Sequence, residues 1–468
     1  SLFKGEKELF KNLYIQDKWN WEDKYPVIKL DMTKVNSETA NDLKITLKEM
    51  LKNVANKNNI TLNNTKHNTM FYELIEKLCD HAGKKVVVLI DEYDAPLLDN
   101  ITNEKTLESN KEIMNNFYKI LKSNNEYLKF VFLTGVSKFS GVSVFSGLNS
   151  PDDISLNEDF ATICGYSQKD LKNYFKNYID KVALKYNYSY EECLSEIDFY
   201  YDGYSWDGVN SLYNPYSTLK LFRERNFENY WYTTGVTTAL MKTLKRVVID
   251  KNDVNSLFRK KGLNNISLMS FNSISKDITP LLFQSGYLTI KDTEINHGPI
   301  KYSIDFPNYE VEESFYLNLL AEITDKSESE IQIINTDLKN YLITADNENM
   351  KVELKAMVSN IPNLIHEHSH NYYQTAIISW LFGVGFKVIG EYNLAKGRMD
   401  AVLIIDEVVI IVELKFEDNK SLRKLINDGL NQIHEKKYYE PFVKEYKVNL
   451  LAIAVSDKEI DCKFKEYN

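Results

Sequence analysis

The stretch Gly397–Phe416, GRMDAVLIIDEVVIIVELKF, holds two apolar runs on either side of the acidic pair Asp406–Glu407. Two polar residues between such runs have the length of a tight hairpin turn. Folding the chain about that turn sets Ile405 opposite Val408, Val402 opposite Ile411, Asp400 opposite Glu413 and Arg398 opposite Lys415. Directly opposed side chains lie roughly 4.5–5.5 Å apart at Cβ, where two like charges destabilise a ribbon. A divalent cation removes that cost, because magnesium takes hard carboxylate oxygens as ligands. Lys415 is two residues from Glu413, so the alternation of a strand puts both on one face. A metal, two carboxylates and an ammonium together can polarise a phosphodiester, lower the pKa of a bound water and counter the charge of the transition state.

In an ordinary hairpin Asp400 and Lys415 would sit in solvent at strand ends, and Glu413 would pair with Arg398 or Lys415. That reading loses ground here because Glu413 is embedded in VVIIVELKF, where exposure is not expected. Asp406 and Glu407 are turn chemistry and carry no function. Around the hairpin the pattern is helix Asn371–Val384, hairpin Arg398–Phe416, helix Ser421–Tyr438 and strand Val448–Val455.

This order of helix, Asp, hairpin, Glu-x-Lys and helix resembles the PD-(D/E)XK nuclease superfamily. The wording GRMDAVL, VVIIVELKF and LNQIHEKKYYE is similar to the nuclease domain found behind AAA-ATPase-like domains in bacterial proteins. The resemblance implies that Asp400 and Glu413 are metal ligands together with the Leu414 carbonyl, and that Lys415 positions or activates the attacking water. It implies a supporting role for Gln432 on the following helix, and Mg2+ or Mn2+ as cofactor. Relatives often carry Glu in the first helix before a Tyr-Tyr-His/Gln element; here HSHNYYQTAI places His370 there. An imidazole can hold a metal-bound water or a phosphate, but it favours softer metals than magnesium. The departure bears on rate and metal preference rather than on fold. His366, His368 and His370 do not share one helical face, and their spacing matches no established zinc site.

Upstream, Pro26–Met32, Lys85–Ile90 and Lys129–Val136 read as strands, with helices over Ser37–Lys57, Asn68–His81 and Asn110–Lys122. Apolar strands without alternation, separated by helices, predict a parallel sheet covered on both faces. In KKVVVLIDEYDAPLLDN (Lys84–Asn100) acid follows a buried strand directly, at the carboxyl edge where parallel sheets bind ligands. Asp91 and Glu92 have the layout of a Walker-B pair, and Thr134 ends the next strand where a sensor residue would lie. Strand-end acids also cap helices, so context decides.

Phe3 to Gly235 resembles the AAA-ATPase-like family, through FKGEKELFKNLYI, LIDEYDAP, LTGVSKFSGVSVFSGLN, YDGYSW, LYNPYS and YWYTTG. The likeness continues through SGYLTI and PNYEVEESF, so it spans nearly the whole chain. No Gly-x-x-x-x-Gly-Lys-Ser/Thr loop occurs; the only Gly-Lys, Gly83-Lys84, precedes the Walker-B-like strand and lacks the hydroxyl residue. In the family that loop lies shortly upstream of Ser1. Backbone amides of such a loop supply most nucleotide affinity, so this chain is expected to bind ATP weakly or not at all. The first residue is Ser rather than Met, which suggests a fragment or a processed product. Loss of the loop's strand would leave a sheet edge calling for a partner, either a second copy or another protein.

Composition sets the outer limits. The 468 residues exceed one ordinary core. The expected division is an AAA-ATPase-like domain over 1–244, lid-like and helical from about 151, then a helical, winged-helix-like linker over 245–360 and a nuclease-like domain over 361–468. The linker holds a helix, the stretch LLFQSGYLTI (Leu281–Ile290) and a hairpin closing on KYSIDFP (Lys301–Pro307). Net charge is −10, and residues 361–468 carry 14 Lys/Arg against 16 Asp/Glu, so any nucleic-acid contact must come from a local patch. Four scattered cysteines (Cys79, Cys164, Cys193, Cys462) exclude a zinc ribbon and argue for a reducing, cytoplasmic compartment. No stretch approaches the ~20 apolar residues of a membrane span.

The fold class expected is α/β: an incomplete P-loop-NTPase-like parallel sheet, a helical middle and a restriction-endonuclease-like core. The function expected is metal-dependent cleavage of DNA or RNA beside a degenerate or truncated ATPase-like domain. The alternatives are an ATP-driven nucleic-acid machine and a non-catalytic scaffold with a relic nuclease fold.

Overall fold

The computed structural model describes residues 1–138, 152–231, 260–269, 277–295, 298–324, 337–359, 370–382, 387–390, 393–394, 397–405, 407–456 and 459–467. The chain forms two compact units, Ser1–Ile154 with Ile266–Ser285, and Ser155–Asn265 with Gly286–Asn468.

In the first unit, β1 (Val27–Asp31), β2 (Val86–Asp91) and β3 (Leu128–Leu133) lie side by side in that order, all parallel. Parallel strands need long crossovers. These are supplied by α1 (Ala40–Lys57), α2 (His67–Ala82), the single turn α3 (Ala95–Leu98) and α4 (Glu104–Ser123). Thr39 caps α1 by accepting from the Asp42 amide, and Leu43, Leu47, Leu51 and Ala55 at four-residue spacing bury one face. Phe71 and Phe117 stack at 4.6 Å to join α2 to α4. Strand β3 differs from its neighbours: Phe130 and Phe132 are 44% and 38% exposed, and among the described residues only β2 pairs with it.

The second unit begins with α5 (Gln168–Tyr174), α6 (Lys176–Tyr186), α7 (Tyr190–Tyr201) and α8 (Pro215–Glu224). Capping boxes at Ser167/Asp170 and Ser189/Glu192 start α5 and α7. Their common core holds Ile179, Ile197, Tyr201 and Phe222. Residues 266–285, which carry α9 (Asn265–Met269) and α10 (Thr279–Gln284), belong to the first unit, and the second resumes with an antiparallel hairpin of β4 (Thr289–Glu294) and β5 (Lys301–Asp305). The stretch LLFQSGYLTI therefore splits, its start in α10 and its end in β4. Helices α11 (Tyr309–Thr324), α12 (Asn347–Ser359) and α13 (His370–Phe382) follow.

The chain closes on a five-stranded mixed sheet. Its members are β6 (Lys387–Gly390), β9 (Ala401–Ile405), β10 (Val408–Phe416), β11 (Lys447–Ser456) and β12 (Glu459–Glu466), in the order β12-β11-β10-β9-β6. Helix α14 (Leu422–Lys436) crosses over between the parallel pair β10 and β11. The hairpin register is as expected from Ile405↔Val408 to Ala401↔Val412, and there the ladder stops. Arg398 is therefore not paired with Lys415 in the ladder. The backbone bends at Asp400, so β8 (Gly397–Arg398) pairs with β7 (Asn393–Leu394) and Arg398 stands against Asn393. No helix among the described residues is long and apolar enough to cross a membrane.

Candidate active site

Glu413 sits in the middle of β10 and is 3% exposed. One carboxylate oxygen, Oε1, takes a hydrogen bond from Lys415 Nζ at 2.9 Å. The other, Oε2, is buried without a hydrogen-bond partner. Burial first, and then the nearby Asp400 charge, push the Glu413 carboxyl up to about 7 against the pull of Lys415. A buried acceptor with nothing to accept from is costly, and its position beside a second carboxylate suits a divalent cation.

Asp400 stands one step beyond the ladder rather than in it. Because the chain bends there, its Oδ2 reaches across and accepts from the Leu414 amide at 2.8 Å. That contact aligns the carboxylate with the strand carrying Glu413. Lys415 leaves the sheet on the Glu413 face, as period-two geometry requires, and its ammonium also donates to Gln432 Oε1 at 2.6 Å. The structure thus brings together Asp400, Glu413, Lys415 and Gln432. Among the described residues no group of three or more His, Cys, Asp and Glu is placed to hold a metal. A cation there would depend on two carboxylates, a backbone carbonyl and oxygens from water or substrate, the kind of set magnesium accepts. His370 begins α13, but its side chain lies outside the described ones, as do His366 and His368 altogether.

Two residues that sequence reasoning passed over hold this site in place. Gly429, one helical turn before Gln432, lets α14 lie close on the sheet. A Cβ there would stand 3.2 Å from Ala452 Cβ, tighter than ordinary van der Waals contact, and would touch Lys415 Cγ at 3.5 Å. The buried Tyr438 is hydrogen-bonded to Gln432, which fixes the amide that meets Lys415. Gly429 had no local signal, since only the contact across the fold reveals it. Tyr438 did sit in the quoted LNQIHEKKYYE.

The acids of the N-terminal sheet form a separate arrangement. Asp91 Oδ1 accepts from Thr134 Oγ1 at 2.7 Å, and the Thr134 amide donates to the Ile90 carbonyl at 2.9 Å. Glu92 follows with a left-handed φ of 53°, and burial, then Asp91 and Asp31, raise its carboxyl above the ordinary range. Asp31 is the register partner of Asp91. Asp94, fully buried, accepts from the Val136 amide at 3.1 Å and from the Ser137 amide. Gly135 is required beside it, because a Cβ there would stand 2.4 Å from Asp94 Oδ1.

Comparison with known proteins agrees with both sheets. Residues 1–145 match the family described as predicted AAA-ATPase, and residues 368–465 match the PD-(D/E)XK nuclease superfamily. An uncharacterized protein in the vnfD 5' region of Azotobacter chroococcum is 28% identical over 461 residues, covering 97% of this chain and 86% of that one. The DNA import protein CedB of Sulfolobus acidocaldarius is 23% identical over 238 residues, 47% of this chain and 39% of that protein.

Proposed function

The chain carries an AAA-ATPase-like domain over residues 1–145 and a PD-(D/E)XK nuclease-superfamily domain over residues 368–465, and we propose that Asp400, Glu413 and Lys415 make it a divalent-metal-dependent hydrolase of nucleic-acid phosphodiesters. The superfamily indicates a nuclease, implies a nucleic-acid substrate and generally uses divalent metals. The single observation that carries the assignment to these residues is the buried, unpartnered Glu413 Oε2 next to Asp400. A carboxylate kept in that state costs stability, and sites of catalysis are where such costs are retained.

Asp400 and Glu413 are the proposed holders of Mg2+ or Mn2+. In an extended strand the amide and carbonyl of one residue point to the same side. The Leu414 amide points at Asp400, so the Leu414 carbonyl joins that side, where the ladder with β9 has ended. When bound, the cation would polarise the phosphate and acidify a water. Lys415, held between Glu413 and Gln432, places an ammonium where it orients a nucleophilic water and offsets negative charge on phosphate. Gln432, anchored by Tyr438, keeps that ammonium from swinging into solvent. His370, at the start of α13, is proposed to face the same chemistry as a ligand of water or phosphate.

The test is cleavage of end-labelled DNA and RNA oligonucleotides in Mg2+ or Mn2+. Activity is expected in the wild type and absent in Asp400→Ala and Lys415→Ala; retained cleavage in both variants would sink the assignment. Binding of oligonucleotide with no turnover in any divalent metal would instead mark a relic nuclease fold used as a scaffold.

A second reading has its own support in the Asp91–Thr134 hydrogen bond, the contact a Walker-B acid and a sensor residue would make. With no phosphate-binding loop in the sequence, this chain alone is proposed to bind ATP weakly or not at all. A version extended at its N-terminus should then hydrolyse ATP in dependence on Glu92, and a flat assay on that version rules the reading out. The CedB likeness suits nucleic-acid processing in either case.

A further inference from the structure

We propose that the outer surface of α6 and α8 binds single-stranded nucleic acid, bases stacking on exposed tyrosines and phosphates lying along the lysines between them. The inference rests on the reading that the substrate is nucleic acid, and adds where the strand is held.

The whole chain carries −10, yet this surface has the opposite sign. Helix α6 holds Lys176, Lys181 and Lys185 against Asp180, and α8 holds Lys220 and Arg223 against Glu224, which pairs with Arg223 at 3.3 Å. At 100° per residue, Tyr178, Lys181 and Lys185 form one stripe along α6, and Asp180 points to the other side. On α8, Tyr216, Lys220 and Arg223 form a second stripe by the same spacing. The two stripes adjoin: Tyr178 packs on Phe222 of α8 at 5.8 Å between ring centroids, and Lys185 hydrogen-bonds Asn226 just past the end of α8.

An ordinary solvated lysine face turns its aromatics inward. Here Tyr174, Tyr178 and Tyr216 are 73%, 47% and 39% exposed. Lys181 stands over the Tyr178 ring at 5.5 Å, Lys185 over Tyr186 at 5.7 Å and Lys220 over Tyr216 at 5.9 Å. Alternating rings and cations are what a flexible single strand asks for, since every base has a face to stack and every linkage a charge to neutralise. A duplex hides its base faces and would leave the tyrosines unused. Helix α11 packs against both α7 and α13, so the surface belongs to the same compact unit as the Glu413 site.

The test is fluorescence anisotropy of a labelled oligothymidylate strand, in EDTA so that cleavage is off. The wild type should bind. Tyr178→Ala/Lys181→Glu/Lys185→Glu should bind about thirtyfold more weakly, with its log–log salt slope reduced by about 1.4. Lys220→Glu/Arg223→Glu, which leaves the Tyr178–Phe222 packing untouched, should lose about tenfold. Asp180→Asn, on the other side of α6, should not weaken binding. Wild-type affinity in both multiple variants overturns the proposal, as does a wild type that binds anionic phosphatidylserine vesicles but no oligonucleotide. If the wild type cleaves while the variants bind as it does, this surface is wrong and the nuclease reading stands. If the wild type binds through this surface but cleaves in no metal, the nuclease reading fails and the surface stands.

Discussion

Asp91, at the last residue of β2, and Glu413, in the middle of β10, are both acids on strands, and the fold treats them differently. Asp91 lies at a strand end and takes a hydrogen bond from Thr134. Glu413 is buried by the sheet and by α14, and one of its oxygens has no partner. An acid whose bonds are satisfied at an edge explains itself as local structure. An acid buried at a cost calls for something that restores the balance, the role proposed here for a cation. The contrast therefore favours chemistry at the C-terminal site over the N-terminal edge, where Asp91 is already held by Thr134.

The sharpest way to break that contrast is to neutralise each acid in turn. Glu413→Gln should lower cleavage about a thousandfold. The same change should raise the thermal midpoint of the metal-free protein by about 2–4 °C, because a buried charge is gone. Asp91→Ala should leave cleavage within about twofold. Equal losses in the two variants would end the distinction. Next in size, Gln432→Ala frees the Lys415 ammonium and should cost about 10–100-fold in rate, read in single-turnover assays.

A third acid, Glu310 in α11, lies outside either site and shows that burial alone does not mark a cation site, since a second carboxylate raises Glu413 but not Glu310. It is fully buried; Oε1 accepts from Ser217 Oγ at 3.0 Å and from the Trp231 amide at 2.6 Å, while Oε2 has no hydrogen-bond partner. Burial pushes its carboxyl up to about 7. A raised acid pKa gives stability that is complete below the unfolded value near 4.3 and is lost as pH rises through about 7. Glu310→Gln should flatten that slope and, at pH 8, stabilise by roughly 2 kcal/mol, measured as urea unfolding at pH 5 and 8. An unchanged slope would show that Glu310 is not the group responsible. The smallest effect is expected from Gly429→Ala, where neighbours must give by a few tenths of an ångström and cleavage should fall by about two- to fivefold.

How much of this was legible follows from where the information lies. The hairpin register could be counted because two turn acids separate apolar runs, and it proved right as far as Ala401↔Val412. Asp400 left the ladder because its backbone bends, and a pairing count cannot see a bend. It still met the Glu413 strand, through the Leu414 amide. Three parallel strands with helical crossovers were readable from unalternating apolar runs. The edge strand β12 was missed, although Ile460, Cys462 and Phe464 alternate inward. Gly429, Tyr438 and the Asp94–Gly135 contact were beyond reach, since each depends on which segments meet in space.

Chemistry at the C-terminal sheet requires Asp400 and Glu413 to hold a divalent cation. Isothermal titration of Mn2+ at pH 7.5 into the wild type and into Glu413→Gln tests it most directly. One site is predicted in the wild type, weakened by at least about tenfold in the variant. Identical Mn2+ binding by the two proteins would contradict it.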